Sequence, residues 1–205
     1  MNNILEQGIP AGNYYDKYSS RNPLVKKLMR SFMQTFRHFL DGVEYLSVHE
    51  VGCGEGHLTM EICKRSQSVI ASDFSSQVLN KAKNNLQEFG KNVTFLSENI
   101  YDLDVSAHKA DLVVCCEVLE HLPDAEKAIE VLYQLTNKYI ILSVPREPIW
   151  RMMNMCRGKY WKDLGNTPGH IQHWNSRQFR DFVQNHFKII EIQQPLPWTF
   201  ILGEK

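Results

Sequence analysis

The chain has 205 residues, a length that corresponds to one domain. Hydrophobic residues make up 43% and charged residues 22%, which is the balance of a globular protein rather than of a disordered chain. The 23 Lys and Arg residues balance the 23 Asp and Glu residues, so the formal net charge is zero. A protein that binds nucleic acid mainly through phosphate contacts usually carries a positive surplus, so the composition argues against nucleic acid as the main partner.

The cellular compartment of the protein is predicted from the lack of a membrane span, a signal peptide and a disulfide pattern. No apolar run approaches the ~20 residues of a membrane-spanning helix, and the N-terminus lacks the basic and apolar segments of a signal peptide. The five cysteines are an odd number without a CxxC pair, which predicts neither a disulfide framework nor a cysteine zinc site. We therefore expect a reduced, cytoplasmic protein.

The predicted elements alternate between strand and helix after an N-terminal amphipathic helix at 23–40. Helices follow the first, second, fourth and fifth predicted strands, at about 57–65, 75–89, 123–135 and 176–185. The last two strands are too close together for a crossover helix, so they must pair antiparallel or lie apart. The strands are predicted at 45–50, 69–72, 93–96, 111–116, 139–144, 188–193 and 198–202.

This order predicts an α/β fold with a doubly wound, mostly parallel, Rossmann-like sheet of seven strands and an antiparallel last strand. We expect a single domain over residues 1–205, with an N-terminal helical cap at 1–42. The segment 145–175, after the fifth strand, is predicted to be an irregular insertion that forms a lid over the substrate. Ligands of such sheets bind beyond the carboxyl ends of the strands, so each strand end is a candidate site.

The first two strands end in residues that suit a nucleoside-containing ligand. The first runs into EVGCGEG, where Gly52, Gly54 and Gly56 allow a tight turn and a close approach of ligand to backbone. The second ends at Asp73, where a carboxylate can accept hydrogen bonds from both hydroxyls of a ribose. A dinucleotide fingerprint would read GxGxxG, whereas the spacing here is GxGxG.

Together with CCEVLEHL after the fourth strand and the closing strand pair, these motifs resemble the class I S-adenosylmethionine-dependent methyltransferases, specifically the small single-domain group. The resemblance covers roughly residues 14–202. It implies S-adenosyl-L-methionine as the cofactor and a small molecule, methylated at oxygen or nitrogen, as the acceptor. The identity of the acceptor and the oligomeric state stay open.

The resemblance also assigns cofactor-binding residues. The glycine loop would hold the methionine part of the cofactor, with Glu50 ordering the loop, while Asp73 would bind the ribose and Phe74 would pack on the adenine. Asn99 stands where the family often has Asp, and its side chain and the Ile100 N–H would contact the adenine. The other implied positions are Cys53 in the loop, Cys116 and Glu117 beside the sulfonium, and Tyr14 or Tyr18 as a lid.

Two histidines are candidates for catalysis. A hydroxyl acceptor needs a base or a metal to remove its proton, and the candidates are His121, after the fourth strand, and His170, in the insertion. Glu117, Glu120 and His121 have the spacing E-x-x-E-H, which is similar to ubiquinone-pathway O-methyltransferases and small-RNA 2′-O-methyltransferases that use these positions for a metal. The same stretch also resembles methyltransferases of the family that bind no metal, and we assign no metal-binding residues from the sequence.

The insertion combines rings with basic side chains, which suits a ring-bearing or anionic acceptor, although the rings could equally pack the insertion itself. Two alternatives to the methylation of a small molecule stay open. One is metal-assisted 2′-O-methylation of RNA, and the other is a protein that binds the cofactor without catalysis. The residues that give the insertion this character are Trp150, Arg151, Arg157, Tyr160, Trp161 and Trp174.

Overall fold

The computed structural model describes residues 4–6, 9–11, 18, 20–66, 68–89 and 92–205. Two short strands, β1 (Ile4–Glu6) and β2 (Ile9–Ala11), pair antiparallel apart from the main sheet. The strands of the main sheet are β3 (Ser47–Val51), β4 (Ser68–Asp73), β5 (Val93–Ser97), β6 (Ala110–Cys116), β7 (Thr136–Pro145), β8 (Lys188–Gln193) and β9 (Trp198–Glu204). The helices are α1 (Pro23–Asp41), α2 (His57–Cys63), α3 (Ser76–Asn85), α4 (Ala125–Leu135), α5 (Ile149–Cys156) and α6 (Ser176–Gln184).

The main sheet has the strand order β5-β4-β3-β6-β7-β9-β8. The five strands from β5 to β7 are parallel, and β9 is antiparallel to both of its neighbours. This confirms the predicted seven-stranded α/β sheet with an antiparallel last strand. The chain leaves β3 for β4 on one side and returns to β6 on the other, so the carboxyl ends of β3 and β6 form the switch point where ligands of such sheets bind.

The N-terminal helix α1 packs an aromatic face on the sheet. Asn22 accepts a hydrogen bond from the Leu24 N–H and Pro23 opens the first turn, a combination that favours a helix start. Phe32, Phe36 and Phe39 are fully buried, and the Phe32 ring meets Phe200 of β9 at 4.7 Å between centroids. α1 is thereby fixed against β9.

The insertion contains a helix that the sequence analysis did not predict. α5 lies within the segment predicted to be irregular, and the buried Asn154 side chain donates to the Gly165 carbonyl (2.9 Å) and the Thr167 hydroxyl (3.0 Å). These bonds hold 157–167 against α5. The predicted helix at 75–89 also ends earlier, at Asn85, and a 3₁₀ turn at Gln87–Phe89 follows it.

Within the described ranges, no helix combines the length and hydropathy needed to cross a bilayer.

A buried histidine makes the stability of the fold depend on pH. His49 of β3 has no exposed surface; its Nδ1–H donates to the His108 carbonyl (3.0 Å), and its Nε2 accepts from the Ser72 hydroxyl (2.9 Å). Burial lowers the pKa of His49 from 6.5 to about 4. The native imidazole therefore stays neutral in a range where the unfolded chain takes up a proton.

We expect the wild-type protein to lose stability relative to a His49→Val variant as the pH falls from 6.5 towards 4. The unfolded state binds more protons in this window, so acidification favours unfolding, by about 3 kcal/mol across the whole window. Burial raises the pKa of Glu50 to about 8, which acts in the opposite direction, so the two proteins must be compared at each pH. Urea unfolding at pH 7 and 5 measures the effect, and equal pH slopes would contradict it.

Candidate functional site

A cavity of about 370 Å³ lies at the carboxyl edge of the sheet, between α1 and the insertion. One part of its wall is the loop from Gly52 to Glu55 together with Asp73 and Phe74. Another part belongs to the turn after β6 and to the insertion, including His121 and His170. Candidate residues from distant parts of the chain therefore line one space.

The glycine loop is held against the end of β4. The N–H groups of Gly52 and Cys53 donate to the Ser72 carbonyl at 2.8 and 3.0 Å. Gly52 has φ +77°, and a Cβ there would lie 2.3 Å from the Val118 side chain. Gly54 has φ +55°, and a Cβ there would meet no heavy atom of the described residues within 4 Å. Gly52 therefore permits close packing, whereas Gly54 leaves open space beside the cavity.

Glu50 links the strand before the glycine loop to the helix after it. Its carboxylate is buried and accepts a hydrogen bond from the Thr59 hydroxyl at 2.5 Å. Burial raises the pKa of Glu50 to about 8, partly offset by this hydrogen bond and reinforced by Asp73. The contact joins the end of β3 to the first turn of α2, on either side of the loop.

Asp73 fixes the loop and the start of α3 with one carboxylate. Its Oδ2 accepts from the Gly54 N–H (2.9 Å) and its Oδ1 from the Ser75 N–H (3.0 Å). These two bonds orient the carboxylate at the junction of the loop and α3. Both Asp73 and Phe74 line the cavity, at the positions predicted for ribose and adenine contacts.

Asn99, Ile100 and Cys116 also line the cavity. The Asn99 side-chain oxygen accepts from the Tyr101 N–H at 3.1 Å, so it caps the short turn that follows β5. A carbonyl oxygen has two lone pairs, which leaves capacity for the predicted adenine contact. Burial raises the pKa of the Cys116 thiol well above its usual range, so this side chain is neutral.

Tyr18 lines the cavity beside the start of α2, whereas Tyr14 falls outside the described residues. The Tyr18 ring stacks on His57, with centroids 3.9 Å apart. Burial, followed by the charges of Glu117 and Glu50, raises the pKa of the phenol far above its ordinary value. Tyr18 therefore contributes a neutral ring to the cavity wall.

Glu117 faces the last strand. Its backbone is left-handed (φ +60°), which is uncommon for a residue other than glycine. The Trp198 indole N–H donates to Oε2 at 2.6 Å, and the Ser143 hydroxyl donates to Oε1 at 3.4 Å. The carboxylate is thus held by β7 and β9 at the cavity wall.

Glu120, His121 and His170 form a compact group, which we call the histidine cluster. One potential ligand atom from each residue lies within 4.8 Å of the others. The His121 Nδ1 lies 2.9 Å from the Gly169 carbonyl. Because a carbonyl can only accept, Nδ1 carries the proton and Nε2 is the accepting nitrogen, 3.9 Å from Glu120 Oε1. The pattern E-x-x-E-H thus contributes Glu120 and His121 to the cluster, with His170 from the insertion, whereas Glu117 is turned to Trp198.

Apolar rings form the wall between the histidine cluster and α1. The Trp150 ring stacks on His170 with centroids 5.7 Å apart and lies 6.0 Å from Trp198. Its indole N–H donates to the Thr167 hydroxyl at 2.9 Å. Tyr160 and Arg157 also line the cavity.

Two other rings of the insertion do not line it. Trp161 is 61% exposed, and Trp174 packs against Phe179 and Phe182 of α6. These two residues therefore lie away from the acceptor wall, and the role of the segment 145–175 as a lid stays a prediction.

Residues 48–138 match a family model described as a methyltransferase domain. A ubiquinone biosynthesis O-methyltransferase of Coxiella burnetii (strain RSA 493 / Nine Mile phase I) is 32% identical over 83 residues, which are 40% of this chain and 36% of that protein. Magnesium protoporphyrin IX methyltransferase from Synechocystis PCC 6803, with bound SAH, is 22% identical with a TM-score of 0.69, covering 91% of this chain and 89% of that chain. The small RNA methyltransferase HEN1 is 19% identical with a TM-score of 0.70, covering 96% of this chain but 28% of that chain.

The structural likeness extends over nine tenths of this chain. This is the class I S-adenosylmethionine-dependent methyltransferase fold. The matched segment spans little more than a third of the curated relative's length.

Within the methyltransferase fold, Trp198 is the site residue that sequence reasoning missed. It opens β9, and the antiparallel register places it opposite Pro145, at the carboxyl edge of the parallel strands. An antiparallel last strand must begin where the parallel strands end. The motif PLPWTF could therefore have been used to predict Trp198 as a site residue, because its Trp stands at the start of that strand.

Proposed function

We propose that this protein binds S-adenosyl-L-methionine and transfers its methyl group to an oxygen or nitrogen atom of a small-molecule acceptor. One observation carries the proposal. The glycine loop and Asp73 share a single cavity with the histidine cluster, so a cofactor site and a candidate base face the same space. Family resemblance and the fold support the same reaction class.

The residues present fit the cofactor. The open Cβ direction of Gly54 leaves room for a ligand against the loop backbone. Asp73 lines the cavity, and a carboxylate there accepts hydrogen bonds from ribose hydroxyls. The carboxylates of Asp73 and Glu117 line the cavity and favour a cationic ligand. Tyr18, stacked on His57, contributes an aromatic ring to the wall of the same cavity.

The acceptor side of the cavity provides a base and an apolar wall. When bound, the cofactor supplies an activated methyl group on a sulfonium. The protein's part is to align the acceptor atom, exclude water and hold the proton that a hydroxyl acceptor loses. His121 suits the last task because the Gly169 carbonyl fixes its tautomer with Nε2 accepting. Trp150 and Trp198 provide flat apolar surfaces for a ring-bearing acceptor.

A metal-assisted reaction is a second candidate that one observation favours. A ligating histidine characteristically donates its second ring N–H to a backbone carbonyl, as His121 does to Gly169. Glu120, His121 and His170 would supply oxygen and nitrogen ligands to a divalent cation, which would help to ionise an acceptor hydroxyl. This version would suit the 2′-hydroxyl of RNA as well as a small molecule. Activity that persists in excess chelator, in protein free of metal, would exclude it.

The proposed function is tested by binding followed by turnover. Calorimetry with S-adenosylmethionine should show saturable binding, and the same titration with NAD should not. Labelled cofactor is then incubated with panels of phenols, amines and oligoribonucleotides. Product with a phenol or amine supports the proposal, and product with RNA alone favours the metal-assisted alternative. Binding without product from any panel favours a cofactor-binding protein, and no binding overturns the proposal.

Asp73→Ala should weaken cofactor binding by roughly 10- to 150-fold, which corresponds to about 1.5–3 kcal/mol for hydrogen bonds to a charged group. The loss includes the tether to the Gly54 N–H, so the loop also becomes less ordered. Calorimetry measures the dissociation constant, and Asp102→Ala, which removes an exposed carboxylate after β5, is the matched control. An unchanged dissociation constant in Asp73→Ala would mean that the ribose is held elsewhere.

A further inference from the structure

Arg157 is the one lysine or arginine among the described residues that line the cavity. It directly follows α5 and is exposed, so it lies at the rim of the cavity rather than in its interior. The same wall contains six carboxyl side chains, and a single permanent positive charge therefore stands in a wall that is otherwise acidic. The carboxyl groups belong to Glu50, Glu55, Asp73, Glu98, Glu117 and Glu120.

A second arginine of the insertion, Arg151, lies in a different environment. Its Nε is 3.6 Å from Glu147 Oε1, its Nη2 is 2.9 Å from His173 Nε2, and it does not line the cavity. Arg157, in contrast, forms no ion pair with a carboxylate in the part of the chain that the structure describes. Of these two arginines, Arg157 is the one whose charge is available to a ligand in the cavity.

A short run of hydrogen bonds orients Arg157. Its Nη2 donates to the side-chain oxygen of Asn154, a residue that is only 1% exposed. The amide nitrogen of Asn154 donates in turn to the Thr167 hydroxyl (3.0 Å), which also accepts from the Trp150 indole N–H (2.9 Å). The guanidinium and the Trp150 ring are therefore positioned by one common network.

This network leaves the guanidinium able to bind an anion. A guanidinium has five N–H donors, and the bond to Asn154 uses one of them. Two parallel N–H donors match the two oxygens of a carboxylate. Trp150 also stacks on His170 at 5.7 Å between centroids, and the His170 ring lies 4.8 Å from that of His121. A chain of contacts thus runs from Arg157 through Trp150 to the candidate base.

We propose that Arg157 binds a carboxylate of the acceptor, so that the acceptor is a ring-bearing acid whose reacting hydroxyl or amino group lies at the histidine cluster. This inference rests on the proposed function, because it uses the same cavity and the same base. The carboxylates elsewhere in the wall repel an anionic group, whereas Arg157 attracts it. The charges therefore favour one orientation of the acceptor, with its anionic end at the rim.

The single cation favours a carboxylic acid over a phosphate or a nucleic acid. A phosphate monoester carries about −1.5 to −2 charges at neutral pH, so part of its charge would stay unpaired beside the acidic wall. A nucleic acid is bound by neutralising several phosphates. Among the cavity-lining residues that the structure describes, Arg157 alone could do so with a permanent charge.

The test is calorimetric binding of matched ligand pairs to the full chain, with and without S-adenosylhomocysteine. Each pair consists of a phenolic acid and its neutral amide: meta-hydroxybenzoate with meta-hydroxybenzamide, and para-hydroxycinnamate with its amide. We expect at least one acid to bind roughly tenfold more tightly than its amide, because a hydrogen-bonded ion pair is lost in the amide. This preference should narrow in ~0.5 M salt.

Two substitutions of Arg157 separate its charge from its structural role. Arg157→Gln removes the charge but keeps an amide donor for Asn154, and it should abolish the preference for the acid. Arg157→Lys keeps the charge but loses the two parallel donors, so it should retain part of the preference. An arginine that only supported the fold of the insertion would change the affinity for acid and amide equally.

Lys159→Gln is the matched control, since Lys159 is exposed two residues further on and does not line the cavity. It should leave the preference unchanged, and thermal melting checks that every variant is folded. Equal affinities of the wild type for acid and amide in every pair would overturn the proposal, as would equal losses in Lys159→Gln and Arg157→Gln. It is also overturned if phenolic phosphate monoesters or oligoribonucleotides, but not the acids, lose affinity in Arg157→Gln.

Methyl transfer to the same pairs distinguishes failure of this proposal from failure of the proposed function. Equal rates with acids and amides would overturn the carboxylate site while leaving the methyltransferase proposal intact. An Arg157-dependent preference for binding acids, without methyl transfer to any acceptor, would support the carboxylate site and count against the proposed function.

Discussion

Replacing Gly54 with valine is expected to abolish binding of S-adenosylmethionine. The Cβ direction at Gly54 is open beside the cavity, in the space that the proposed ligand would occupy against the loop backbone. Valine would fill this space, and overpacking a fitted site typically costs about 1–3 kcal/mol of binding free energy. The left-handed strain of about 1–2 kcal/mol is present with and without the ligand, so it lowers the stability of the fold instead. We expect the dissociation constant measured by calorimetry to rise by roughly 100-fold or more.

A second glycine provides a control that distinguishes the effect of a blocked site from the effect of a strained backbone. Gly158 has φ +69°, and its Cβ would likewise meet nothing within 4 Å among the described residues, but it does not line the cavity. Gly158→Val therefore introduces comparable strain without blocking the site, and both variants should lower the melting temperature by similar amounts. Only Gly54→Val should lose the cofactor. Near-normal affinity in Gly54→Val, or equal losses in the two variants, would count against the assignment of the loop.

The cofactor side of the cavity could be predicted from the sequence because its geometry is local. A parallel strand that ends in glycines and a neighbouring strand that ends in Asp73 must place both features at the same edge of the sheet. The structure adds the reason for each glycine, since Gly52 accommodates Val118 while Gly54 borders open space. Positions implied for the cofactor, such as Phe74 and Asn99, then follow from the register of β4 and β5.

The acceptor side depends on side chains from distant parts of the chain, which periodicity does not encode. Residues three apart share a face only in a helix, and the left-handed backbone at Glu117 breaks that relation between Glu117 and Glu120. The direction of Glu117 is set by Trp198, 81 residues away in the sequence. The conformation of the insertion was harder still to predict from the sequence, because α5 is short and is stabilised by hydrogen bonds from Asn154 to the loop that follows it.

The insertion also controls the candidate base. The Gly169 carbonyl fixes the His121 tautomer, and the N–H groups of Ile171 and Gln172 donate to the Glu120 carbonyl at 2.9 and 3.0 Å. Three backbone groups of the insertion thus fasten it to the turn after β6. A change in the insertion would therefore alter both the acceptor wall and the orientation of His121. Acceptor specificity and base catalysis would then change together.

His121→Asn should lower the turnover of a hydroxyl acceptor by roughly 10²- to 10⁴-fold, the usual contribution of a general base. The cofactor dissociation constant should change by less than about twofold, because the Gly52–Gly56 loop and Asp73 are unaffected. Initial rates of phenol methylation by the two proteins measure the effect.

An amine acceptor is the matched chemical control for His121. A neutral amine attacks without prior loss of a proton, so His121→Asn should slow its methylation far less than that of a phenol. A merely structural histidine would reduce both reactions equally. If phenol methylation stays within about threefold of the wild-type rate, the base is another group, and His170, whose ring lies 4.8 Å from that of His121, is the residue to replace next.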